Sequence, residues 1–292
     1  MKSIRFIAGN IIGSILTIKP VNKHRLKLFD NSGSILSVYF HNPNYHLFEQ
    51  CVKWLVFNKF EFISLDEVAV LVETKKKVKT RKAVITLDDG WKDNLNNVLP
   101  VIEKYKIPVT IFISIAPVYD GNLWTQVFKN AISQKSDLIK KEEKKYKKIP
   151  EQRRLEIYNL LKQNTTLKRN IITIEELLLI VQNPLIYIGG HTFNHAMLNI
   201  CTLKEQQFEI DDSKKHLEKI IGKQINYFAY PNGDYNDDSI QLVSKAGYRM
   251  AFTTKSVWLR PDKYNTPFIL PRICIPNNLS FNEAKMRLLG ML

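Results

Sequence analysis

Two adjacent carboxylates and a glycine close the stretch Ala83 to Gly90, A-V-I-T-L-D-D-G. The residues before them form a short, apolar, β-branched run that reads as a buried strand. Asp88 and Asp89 would be costly to bury unpaired. They therefore belong at the strand's end, facing water, a cation or a substrate, with Gly90 letting the backbone turn away. Neighbours on an extended chain point to opposite sides, so one carboxylate could hold a metal while the other handles a proton. A turn carrying two solvated acids would give the same letters.

Further along, Leu185 to His195 reads L-I-Y-I-G-G-H-T-F-N-H. An apolar strand again ends in glycines, and His191 and His195 follow, spaced so that a helical turn would put both imidazoles on one face. Two histidines and a carboxylate are a ligand set for a catalytic zinc with an open position. H-x-x-x-H alone is a weak signal; set beside the strand-end D-D-G it becomes part of a constellation.

The elements that must position these groups can be taken in order. The chain has 292 residues, 45% hydrophobic and 24% charged, the balance of an ordinary globular protein, and no apolar run long enough to span a membrane. In Met1 to Val21, Lys2 and Arg5 precede the mildly apolar run Phe6 to Ile18, broken by Asn10, Gly13 and Ser14 and followed by no cleavage site. An amphipathic helix packed on the domain or touching a membrane surface fits better than a signal peptide. Lys19 to Ser34 is polar, ends in D-N-S-G and reads as a connector. Core strands are expected at Ile35–Phe40, which ends at His41, and at Pro108–Ser114, Asn226–Ala229, Tyr248–Thr254 and Leu270–Ile275. Ser64 with Glu67, Thr173 with Glu176 and Thr202 with Glu205 spell helix-starting capping boxes. Residues from about 133 to 168, with K-K-E-E-K-K-Y-K-K, read as exposed helices inserted between two strands.

Strands alternating with helices imply a parallel sheet or barrel, and loaded strand C-termini are where β/α barrels build active sites. The simplest division is an N-terminal appendage, 1–34, and one domain, 35–292. Cys51, Cys201 and Cys274 are scattered and odd in number, which speaks against a disulfide framework. The expectation is a cytoplasmic or membrane-peripheral protein rather than a secreted one. The net charge of +15 suits a membrane surface or an anionic substrate; no nucleic-acid motif accompanies it, and no nucleic-acid partner is expected.

Three segments in order carry a resemblance to a known family. T-L-D-D-G resembles the first motif, T-F-D-D-G, of the polysaccharide deacetylases (NodB-homology, carbohydrate esterase family 4). H-T-F-N-H resembles the second, H-S/T-x-x-H. Phe228 to Gly233, F-A-Y-P-N-G, resembles the F-A-Y-P-Y-G variant of the third. The resemblance runs from about Ser37 to Ile275. It implies a distorted (β/α)7 barrel of the NodB type carrying the basic helical insert, and metal-dependent removal of N-acetyl groups from a glycan, with release of acetate. Zn2+ or another divalent transition metal would sit on Asp89, His191 and His195, Asp88 would be the base, and the Asn232 backbone N–H would stabilise the oxyanion. Tyr230 and Pro231 would shape that wall, and Trp91 would stack on a sugar or join the core.

Two departures matter. The family's third-motif arginine falls on Ala229, which makes Arg272, in L-P-R-I-C-I, the candidate to orient Asp88. No histidine follows His216, where the family's general acid is expected; His41, at the end of the first strand, is the substitute by position. The substrate would be an N-acetylated glycan, anionic or lipid-linked in one version. The alternatives are an O-acetyl esterase or other amidohydrolase of the same fold, and a non-catalytic glycan-binding relative.

Overall fold

The computed structural model describes residues 4–16, 18–133, 145–164 and 166–292. Its centre is a parallel sheet of eight strands: β1 (Ile35–Phe40), β2 (Glu61–Phe62), β3 (Lys82–Asp88), β4 (Val109–Ile113), β5 (Ile186–Gly190), β6 (Tyr227–Ala229), β7 (Met250–Phe252) and β8 (Ile273–Cys274). The order is β7-β6-β5-β4-β3-β1-β8, and the two-residue β2 pairs with the start of β3. The sheet curls until β7 meets the segment leading into β8: Leu270 N–H donates to Ala251 O, and Thr253 N–H donates to Leu270 O. This is an α/β barrel of parallel strands with helices outside. The sequence had pointed to seven strands; β2 is too short to show a period.

Strands buried on both faces explain the near-continuous apolar runs. In β3, Ala83, Ile85 and Leu87 pack with the helical layer, while Val84 joins the cluster inside the barrel. The same alternation sends Thr86 and Asp88 inward. Asp88 is therefore the last inward position of the strand, paired in register with Phe112 of β4.

Two expectations need correction. Lys19 to Ser34 is not a connector: Lys19–Ser32 is a helix ended by Gly33 at φ 66°. Its sequence is mostly polar because one narrow stripe is buried. Phe29 in that stripe meets Trp258 edge-on at 5.1 Å, and Arg25 caps the Leu289 and Gly290 carbonyls. The residues that interrupt the N-terminal apolar run face the C-terminal helix Phe281–Leu288. A Cβ at Gly13 would lie 2.8 Å from the Asn282 backbone, and Asn282 Nδ2 donates to Asn10 Oδ1 and Ser14 Oγ. Glycine is what allows this approach.

The insert is not simply an exposed face either. Its helix Glu151–Gln163 buries Glu151, Arg154 and Tyr158 against the helix Trp124–Ser133, with the Arg154 guanidinium 4.4 Å over the Trp124 ring. The charge-rich composition hid this because the buried residues are themselves an ion pair. Residues 134–144, also expected to be helical, lie outside the described residues.

Candidate active site

At the inward end of β3, Asp88 meets Arg272. The guanidinium donates from Nη1 to Oδ1 at 2.7 Å and from Nη2 to Oδ2 at 2.9 Å, and also from Nη1 to Thr86 Oγ1 at 3.0 Å. Arg272 is fully buried. It lies 4.3 Å over the Tyr39 ring and 5.2 Å from the Phe112 ring centre. Such a fork fixes both carboxylate oxygens, and the aromatic walls suit a planar, weakly hydrated cation.

The next residue does not continue the strand. Asp89 has φ 77° and Gly90 φ 74°, so the two carboxylates diverge through a left-handed turn rather than by strand alternation alone. Asp89 Oδ1 lies 3.5 Å from His191 Nε2 and 3.2 Å from His195 Nε2, and Trp91 Nε1 donates to Oδ2 at 2.9 Å. Burial would by itself raise the Asp89 carboxyl, but the two imidazoles hold it well below the usual carboxylate range. Burial, opposed by the Asp89 contact, pushes the His195 imidazole below its usual range. His191 Nδ1 is 2.7 Å from the Ala229 carbonyl. A carbonyl only accepts, so Nδ1 carries the hydrogen and Nε2 keeps its lone pair.

The arrangement fits a metal ion. The three donor atoms lie within 4.8 Å of one another. Ligands on a tetrahedral ion at zinc's usual bond lengths stand about 3.3–3.4 Å apart, a value that the 3.5 and 3.2 Å to Asp89 Oδ1 bracket. Asp89 Oδ1, buried and without a hydrogen-bond partner among the described residues, is the orphan such an ion would satisfy.

The histidines reach this point without a helix, contrary to the H-x-x-x-H expectation. His191 follows the end of β5, and the chain then loops, with Thr192 at φ 64° and His195 at φ 55°. The two left-handed residues fold the imidazoles together, ring centres 5.0 Å apart. Such conformations cost about 1–2 kcal/mol each for residues with a Cβ, and the loop is bonded at several points. His191 N–H donates to Ile113 O, Ser114 Oγ–H to His191 O, Ala116 N–H to Phe193 O and Ala196 N–H to Thr192 Oγ1.

An open cleft of about 410 Å3 runs over these groups, lined by Asp88, Asp89, Trp91, His191 and His195, with His41 and Asn232 among the rim residues. His41 packs edge-on to Tyr39 and is not one of the three converging donors. Asn232, at φ 57°, accepts from Lys147 Nζ at 3.2 Å. Tyr230 and Pro231 are buried behind the rim and do not line the cleft; Tyr230 packs on Phe228 and Tyr235.

The profile of the polysaccharide deacetylase family matches residues 75–251. The chain belongs to that family. The Bacillus subtilis (strain 168) relative YxkH, named for the polysaccharide deacetylases, is 26% identical over 208 residues, covering 71% of this chain and 57% of that protein. The chain thus spans little more than half of that relative's length. The poly-β-1,6-N-acetyl-D-glucosamine N-deacetylase of Staphylococcus aureus (strain MSSA476) is 27% identical over 236 residues, 79% of this chain and 67% of that protein. Among solved structures, Streptococcus pyogenes deacetylase PplD, in complex with acetate, superposes with a TM-score of 0.61 at 20% identity, covering 87% of this chain and 97% of that one. IcaB from Ammonifex degensii gives 0.61 at 16% identity, covering 89% and 97%. At these identities the structural likeness is one of fold.

Sequence reasoning missed several residues that hold the site. The Ala229 carbonyl that orients His191 carries no side-chain signal at all. Trp124 Nε1 donates to the His195 carbonyl at 3.0 Å, yet the tryptophan sits in L-W-T, far from any histidine in sequence. Glu209, buried, accepts from the Phe193 and Asn194 backbone N–H groups at 2.8 Å each and from Asn194 Nδ2 at 2.6 Å. Burial first, then the nearby Glu151 charge, pushes its carboxyl up to about 7. Its neighbours at helical spacing, Glu205, Gln206, Asp212 and Ser213, are all polar, so no sequence signal set Glu209 apart.

Proposed function

We propose that the protein is a metal-dependent N-deacetylase that removes acetyl groups from an N-acetylated glycan and releases acetate. The observation that carries this is the meeting of Asp89 Oδ1, His191 Nε2 and His195 Nε2 beside a second carboxylate, Asp88, that Arg272 keeps apart from them. A divalent ion, zinc by this donor set, would be held by Asp89, His191 and His195; when bound it supplies Lewis-acid polarisation of the acetyl carbonyl and a more acidic water.

The remaining work falls to the chain's own side chains. Asp88, oriented by the Arg272 fork, takes the proton of the attacking water. His41, on the rim of the same cleft, gives a proton to the leaving nitrogen. The Asn232 backbone N–H, in the left-handed turn at the rim, serves the developing oxyanion. Trp91 steadies Asp89 through its indole N–H while its ring faces the cleft. The name of the Staphylococcus aureus relative supports an N-acetylhexosamine polymer as the substrate class, and the net charge of +15 supports an anionic or membrane-associated form of it.

A screen of acetate release by the zinc-loaded full chain tests this. N-acetylglucosamine oligomers should release acetate, and O-acetylated sugars should release far less. Release from the O-acetyl esters alone would make the protein an esterase of the same fold, and release from neither would leave a glycan-binding relative.

A further inference from the structure

The histidine loop is gripped from behind by groups that take no part in the chemistry above. His191 has its second ring nitrogen fixed by the Ala229 carbonyl. His195 does not: its Nδ1 has no hydrogen-bond partner among the described residues. Metal-binding histidines ordinarily donate that N–H to a partner that sets the ring. The orientation of His195 must then come through its backbone, which stands at φ 55°. That backbone is held at two points. Trp124 Nε1 donates to the His195 carbonyl, and the Glu209 carboxylate takes both N–H groups of Phe193 and Asn194.

The chain has gone to some length to deliver Glu209 there. It lies in a π-helical turn, Phe208–Asp212, between the α-helical stretches Leu203–Gln207 and Ser213–Ile221. A π-turn inserts one residue into a helix and re-aims the side chain it carries, and such turns gather at functional sites. Glu209 is 1% exposed, and its recorded side-chain bonds all go to the histidine loop rather than to its own helix. The second grip is backed by the insert. Arg154, fully buried, stacks on Trp124 and is forked by Glu151, with Nε to Oε2 at 2.9 Å.

We propose that Glu209 is a positioning residue for the metal site: it sets the Thr192–His195 turn so that His195 Nε2 faces Asp89, with Trp124 as the second point of support. The proposal rests on the metal reading given under Proposed function. It makes a particular substitution pattern diagnostic. In Glu209→Gln one amide oxygen can still accept both backbone N–H groups, and the Asn194 side chain can turn its own oxygen toward the new NH2. In Glu209→Ala all three hydrogen bonds vanish.

The test is Co2+ binding by the full chain, read from the metal's absorption and from competition with a chelator. It is joined by amide hydrogen exchange at Phe193 and Asn194 in the metal-free protein. Glu209→Ala should weaken Co2+ binding by about 10–100-fold, the usual scale for a group supporting a ligand, and speed exchange at those two amides. Glu209→Gln should stay near wild type in both. A folded Glu209→Ala chain with unchanged Co2+ affinity and unchanged exchange overturns the proposal, even if its melting temperature drops, because that is what a purely structural glutamate would do. If Glu209→Ala does not fold, Trp124→Phe decides: it keeps the ring under Arg154 and removes the donor to His195, and should still weaken Co2+ binding several-fold. Wild-type protein that binds no Co2+ at all would sink the metal reading itself, and the exchange data would then judge the Glu209 grip alone.

Discussion

Asp88 and His195 open onto the same cleft but arrive there by different routes. Asp88 is delivered by register. It is the last inward residue of β3, and Arg272, which enters beside β8, finds it across the barrel interior. His195 is delivered by a loop with two left-handed residues whose bonds run to β4, to the following helix, to Trp124 and to a π-helical turn. One side depends on the sheet and a single buried ion pair; the other depends on many modest contacts far apart in the chain. The strand side should be sensitive to single changes with large effects, and the loop side to graded ones.

The largest effect is expected from Asp88→Asn. If Asp88 is the base proposed above, turnover should fall by roughly 10²–10⁴-fold, measured as acetate release, while bound zinc remains. Arg272→Met attacks the same side through stability. It strands a buried carboxylate, and losing one partner of a buried pair costs about 3–5 kcal/mol; urea unfolding should show the loss. A variant as stable as wild type would mean that the pair is not what holds the β3 end. His41→Ala should cost about a hundredfold in turnover, the low end for an acid–base group, with zinc content unchanged. Normal turnover in that variant would take the proton to the leaving nitrogen from another group.

A smaller effect on the loop side comes from pH. The Glu209 carboxyl is pushed up to about 7, chiefly by burial and then by Glu151, from a value near about 4.3 in an unfolded chain. The folded state therefore binds this proton more tightly. The stability it confers is full below the unfolded value and lost as the pH rises through about 7. Glu209→Gln cannot ionise, so in metal-free protein its melting temperature should gain on wild type between pH 6 and pH 8 by this route. A constant difference across that range would show that Glu209 does not titrate there. Smallest of all, Ser64→Ala removes a capping-box hydroxyl remote from both sides. It should cost about 1 kcal/mol with turnover and metal unaffected.

The same contrast explains what could be read from the sequence. β1 is the Ile35–Phe40 strand that the apolar run indicated, and the Ser64, Thr173 and Thr202 capping boxes all start helices, because strands and caps are local. The three motif segments lie at the ends of β3, β5 and β6, since alternation and strand-breaking glycines mark such ends. The parts not legible depend on distant partners. Lys19–Ser32 looked like a connector because only a narrow stripe is apolar. The histidine spacing suggested a helix because nothing in H-T-F-N-H announces left-handed Thr192 and His195; Glu209 and Trp124, which hold them, lie outside the motif. The insert looked solvated because its buried pair, Glu151 and Arg154, is charged.

The division between the two carboxylates is the centre of the account, and bound zinc per chain in Asp88→Asn and Asp89→Asn, measured on the same samples as acetate release, tests it most directly. The account predicts that Asp88→Asn keeps one ion and loses nearly all turnover, whereas Asp89→Asn loses the ion. Equal loss of zinc in both variants, or acetate release that persists in Asp88→Asn, would contradict it.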